Sequence, residues 1–100
     1  MELEWDERKR LEVIAKRGVD ILYAALIFEG AVLMRQDTRA DYREDRFISL
    51  GLVDGDAYVV VHTERNGVTR LITAWKGGQR DRQHYQARIA KGLEGNEGSG

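Results

Sequence analysis

The stretch "VVVHTERNGVTRLITAWK", residues 59–76, decides the fold. Two runs rich in β-branched and aromatic residues flank Asn66-Gly67, and Asn-Gly between such runs is the strongest short signal for a two-residue type I′ hairpin. With that pair at the turn, Arg65 faces Val68, Thr63 faces Arg70, Val61 faces Ile72 and Val59 faces Ala74. Asp54-Gly55 either makes the preceding turn in the same way or sits in a longer loop. The tight turn sets Leu50 opposite Val59, Ile48 opposite Val61 and Arg46 opposite Thr63. Side chains alternate across a strand. One face is therefore expected to carry Ile48, Leu50, Val59, Val61, Ile72 and Ala74, to receive an apolar helix, and to end in the row Arg46, Thr63, Arg70. The other face, with Phe47, Ser49, Tyr58, Val60, His62, Glu64, Leu71, Thr73 and Trp75, is too mixed for core and too aromatic for plain solvent.

Upstream, "LEW" can form a short first strand. Asp6 is an N-cap for an amphipathic helix ending near Gly18, and Asp20 caps a second, "ILYAALIFEG", apolar almost all round and stopped at Gly30. Strands are predicted at residues 31–35, 46–52, 57–64 and 68–75, with a charged connection between the first two. A basic helix follows over residues 79–91. The pattern predicts an α+β fold in which an antiparallel sheet of about four strands packs against two N-terminal helices. Residues 1–91 read as one domain, and "EGNEGSG", without an apolar residue, extends the 92–100 tail that is expected to be disordered.

The chain has no cysteine, which removes disulfides, thiolate nucleophiles and Cys-type zinc sites. His62 and His84 lie 22 residues apart without ligand-spaced carboxylates around them, so no metal is expected. No long apolar run or signal-type N-terminus appears, and a soluble, cytoplasmic protein without membrane contact is expected. The net charge of −1 hides an uneven distribution: residues 29–64 carry −4 and residues 65–91 carry +6. Such a basic third can attract phosphates by its field. The same charges also fit a solvated amphipathic helix.

Read in order, "LEWDERKRLEVIAKRGV", "EDRFISLG", "VVVHTERNGVTRLITAWK" and "RDRQHY" resemble the BrnT family of type II toxins, whose members read E-W-D, K-H-G-V, E-x-R-F, a T-E-R-G hairpin, R-I-I-S-A-R-K and R-x-x-Y. The resemblance implies a RelE-like fold and a metal-independent endoribonuclease that cleaves RNA and arrests translation without a cofactor. It also implies a cognate BrnA antitoxin, a ribbon-helix-helix protein through which alone the complex meets operator DNA. The motifs fall on Glu4, Trp5 and Asp6; on Glu44, Arg46 and Phe47; on Thr63, Glu64 and Arg65; on Arg70 and Lys76; and on Arg82 and Tyr85. Three positions depart: Arg17 stands for the usual histidine, Thr73 for serine and Trp75 for arginine.

Metal-free cleavage of RNA needs a base for the 2′-OH, cations around the phosphorane and an acid for the leaving 5′-oxygen. Arg46, Arg65, Arg70 and Lys76 are the candidate cations; the lesser alternative for Arg46 and Arg70 is a surface ion pair with Glu44, Asp45 or Glu64. Glu64 is the candidate base, or else a helper that orients an arginine. His62, Arg80, Arg82 and Tyr85 are candidates for substrate contact, with His62 open to a structural role and Tyr85 to packing. Trp75 is the candidate anchor for an antitoxin or for RNA. A second function fits the same residues: a catalytically weak nucleic-acid-binding or co-repressor module within a toxin-antitoxin complex.

Overall fold

The computed structural model describes the backbone of residues 1–99 and the side chains of residues 1–92. Its elements are β1 (Glu2–Trp5), α1 (Glu7–Arg17), α2 (Ile21–Ala24) continuing as a 3-10 helix (Ala25–Glu29), β2 (Leu33–Gln36), β3 (Arg46–Val53), β4 (Asp56–Arg65), β5 (Val68–Lys76) and α3 (Gln79–Ser99). The expectation of a disordered tail over residues 92–100 falls almost wholly outside the described side chains.

Both helix starts are local chemistry. The Asp6 carboxylate accepts from the Arg8 and Lys9 amides, and Gly18, at φ 67°, closes α1 by donating to the Ile14 carbonyl. Asp20 caps α2 through the Leu22 amide and also accepts a two-point bond from Arg10, at 2.8 Å each, which clamps α1 to α2. That bond also holds the Asp20 carboxyl below the usual range.

The second predicted helix is one α turn followed by 3-10 helix. Its fully buried residues, Ile21, Ala24 and Ile27, recur every third position, which lines them up only at three residues per turn. Gly51 makes room for them: a Cβ there would lie 2.7 Å from the Cβ of Ile27.

The sheet has five strands in the order β1-β5-β4-β3-β2, and it is mixed, because β1 runs parallel to β5. This corrects the expected four antiparallel strands: the "LEW" segment joins as the fifth, an edge strand paired with Val68–Leu71. Both Asp54-Gly55 and Asn66-Gly67 take positive φ at both positions, as type I′ turns do. The pairings Arg46 with Thr63, Ile48 with Val61 and Leu50 with Val59 form as expected, as do Thr63 with Arg70 and Arg65 with Val68.

Beyond His62 the second hairpin slips by one residue. A β-bulge at Ile72 sets Val61 opposite Thr73, Val60 opposite Ala74 and Val59 opposite Trp75. Ala74 therefore joins the face of Val60 and Leu71, and Trp75 the face of Val59. The face assignment also reverses. α1, α2 and the 3-10 helix pack on the face with Val60, Leu71 and Ala74, while α3 crosses the other, over Ile48, Leu50, Val59 and Val61. On the mixed face, which packs against the helices, the fully buried Ser49 and His62 hydrogen bond to each other at 2.8 Å.

Candidate functional site

Register places one row across the sheet: Glu4, Arg70, Thr63, Arg46. Arg65, two residues beyond Thr63, points to the same side. The side chains meet in ion pairs. Arg70 Nη1 donates to Glu4 Oε1 at 2.9 Å, Arg65 Nη2 to Glu44 Oε1 at 2.8 Å, and Arg46 Nε lies 3.8 Å from Glu44 Oε2. The Arg46 guanidinium also stacks 4.1 Å above the Tyr42 ring. Its Nε is shielded from solvent yet donates no hydrogen bond among the described residues. Thr63 Oγ1 donates to the Asp45 carbonyl at 2.7 Å and fixes the loop that brings Tyr42 and Glu44 in. Three guanidinium groups and two carboxylates thus share one end of the sheet, with one buried donor left for an acceptor.

The other expected site residues lie elsewhere. Glu64 alternates to the opposite face, where Oε2 accepts from Thr69 Oγ1 at 2.7 Å and Oε1 lies 3.0 Å from His62 Nδ1. That contact is too poorly aligned to be a hydrogen bond. His62 is fully buried and presents nothing to a ligand; Phe28 packs edge-on against its ring at 5.1 Å. Burial pushes the His62 pKa below its ordinary value, with Glu64 pulling the other way. The imidazole is neutral near pH 7. The carboxylate beside Nδ1 favours the tautomer protonated there, so Nε2 accepts from the Ser49 hydroxyl.

Lys76 sits at the far end of β5, opposite Tyr58 and 3.7 Å from Asp56. Arg80 and Arg82 are exposed on α3, and Arg82 lines a separate 380 Å³ cleft with Lys76. Tyr85 docks α3 onto the sheet: its ring joins the second core, and its hydroxyl donates to the Ala31 carbonyl at 2.6 Å. Trp75 is half-buried in that same core, at the floor of a 590 Å³ groove beneath α3 with Leu50, Val59, His84 and Arg88.

Glu4 and Glu44, the carboxylates of the arginine cluster, were not singled out as site residues, although both stand in the motifs E-W-D and E-x-R-F. Tyr42 and Arg39, on an irregular loop, carried no such signal. Among the described residues no group of three His, Asp or Glu side chains is placed to hold a metal ion.

Fold and cluster together define a small α+β domain that gathers guanidinium and carboxylate groups on one sheet face. The family of BrnT, the ribonuclease toxin of a type II toxin-antitoxin system, matches residues 5–81, and the chain belongs to it. Membership implies an antitoxin as partner. No curated protein matches the chain. Among the described residues no helix is long and apolar enough to cross a membrane. Two departures from the family pattern meet in space: the Arg17 guanidinium lies 5.4 Å from the Trp75 ring centre.

Proposed function

We propose that residues 1–91 form one RelE-like domain, a cytoplasmic endoribonuclease that cleaves RNA without a metal ion, arrests translation and is silenced by a BrnA-type ribbon-helix-helix antitoxin. One observation carries this reading: in a member of a ribonuclease-toxin family, Arg46 and Arg65 meet at Glu44, and Arg70, paired with Glu4, stands in the same row at that end of the sheet. The arginines bind the scissile phosphodiester and stabilise the charge of the phosphorane. Glu44 takes the 2′-OH proton. In this reading that role falls to Glu44 rather than to Glu64, whose side chain lies on the opposite sheet face against Thr69 and His62. The leaving 5′-oxygen is protonated from solvent.

The reading as a weak co-repressor module draws on the same ion pairs, because Glu4 and Glu44 already occupy Arg70 and Arg65. One experiment separates the two. Purified protein is expected to cleave single-stranded RNA in EDTA, and Arg46→Ala to lower the rate by about 10- to 1,000-fold with an unchanged melting midpoint. Activity lost to chelator and restored by magnesium would sink the metal-free mechanism. Absence of cleavage by the wild type under all conditions would favour the co-repressor.

A further inference from the structure

Trp75 has two cations beside it. The Arg17 guanidinium lies 5.4 Å from its ring centre and that of Arg39 lies 5.9 Å away. They come from distant segments. Arg17, in the last turn of α1, reaches past the edge of β5, which β1 covers only as far as Leu71, and donates through Nη1 to the Ala74 carbonyl at 3.2 Å. Arg39 stands on the 37–45 loop, held by a two-point bond from Nε and Nη2 to Asp37 at 2.8 Å each, with Nη1 outside that fork. The Asp37 side chain is fully buried, and Arg39 holds its carboxyl far below the usual range, so the clamp stays charged.

The same loop carries Tyr42 under Arg46. Trp75 and Arg46 lie on one face, in rows that are four residues apart along β4, or about 13 Å. Cations and aromatic rings therefore follow one another along this face: Arg65, Arg46 over Tyr42, Arg39, then Trp75 and Arg17. Two of the loop's carboxylates are paired with cations of the run, Asp37 with Arg39 and Glu44 with Arg65, while Asp45 accepts from the neutral Gln36 side chain and Asp41 from the Arg43 backbone amide.

We infer that this run is a track for single-stranded RNA, leading from the arginine cluster to a second phosphate- and base-binding point at Arg17, Trp75 and Arg39; the inference rests on the reading of the chain as an RNA-cleaving toxin. Guanidinium groups take the phosphates, and a base stacks on the guanidinium planes that already lie against the rings. An extended strand crosses the distance in a few nucleotides. A duplex keeps its bases stacked inward and offers only its backbone.

The test uses the full chain and a fluorescein-labelled 2′-O-methyl RNA octamer, uncleavable because its 2′-oxygen lacks the attacking hydroxyl. Arg17→Ala and Arg39→Ala are each expected to weaken binding about tenfold. Each should also lower the slope of log affinity against log salt by about 0.7, which a merely structural arginine would not do. Trp75→Phe should retain binding that Trp75→Ala loses. Wild-type affinity in both arginine variants overturns the track, as does equal affinity for a duplex of the same length. Loss of antitoxin binding with RNA binding intact overturns it too, and gives the surface to the antitoxin. A wild type that binds the octamer through Arg17 yet cleaves no RNA sinks the ribonuclease reading and leaves the track standing.

Discussion

His62 shows how one side chain can be structural and still govern a charge at the surface. It lies fully buried between Ser49 and Glu64, and Glu64 in turn holds Thr69. Its folded pKa lies below the ordinary value, so the unfolded chain binds the proton more readily. The contribution to stability is present above the unfolded pKa of about 6.5 and is lost as pH falls below it. The melting midpoint of the wild type is expected to drop between pH 7 and pH 5, and His62→Gln to flatten that part of the profile. At pH 7 the substitution should cost about 1–3 kcal/mol, because Ser49 loses its partner. A wild-type profile as steep as that of His62→Gln would remove His62 from the pH dependence. The sequence left His62 between substrate contact and a structural role, since its face is mixed with Glu64 and Thr73; Ser49, on the neighbouring strand, decides for the structural one.

Among the elements, hairpins were the most legible because their signals are local. Asn66-Gly67 and Asp54-Gly55 need φ above zero at both positions, and the chain supplies residues that tolerate it. The bulge at Ile72 was illegible, because an extra residue in an apolar run leaves no composition mark; it moved Ala74 and Trp75 to faces opposite those expected. The two-sided core misled for a related reason. "VVV" at residues 59–61 satisfies both faces at once, so alternation names neither as the one that receives the helices. The parallel pairing of β1 depends on a crossover that no local signal specifies. Gly51 is where the 3-10 helix meets the sheet most tightly. Gly51→Ala, with a Cβ 2.7 Å from that of Ile27, is expected to cost about 1–3 kcal/mol and lower the melting midpoint by several degrees. An unchanged midpoint would mean that this contact relaxes freely.

Over the whole molecule, the charges divide along the chain more than the net value suggests, with +6 in residues 65–91 against −4 in residues 29–64. Folding brings much of the positive block to one side. Arg65 and Arg70 end that face, and α3 crosses it with Arg80, Arg82 and Arg88 exposed. The face also holds the groove at Trp75, where Met34 on β2 is more than half exposed at the rim. An inhibitor gains most by covering the surface that meets the polyanion, since apolar anchoring in the groove and charge pairing with the arginines then act together. Antitoxin and RNA are therefore expected to exclude each other. Saturating the toxin with its antitoxin should abolish binding of the 2′-O-methyl octamer, and by reciprocity the octamer should weaken the antitoxin by the same factor. Arg46→Ala, at the far end of the face from the groove, should lower octamer affinity more than antitoxin affinity. A stable ternary complex of toxin, antitoxin and octamer would show that inhibition acts through a different surface, and the groove at Trp75 would then belong to RNA alone.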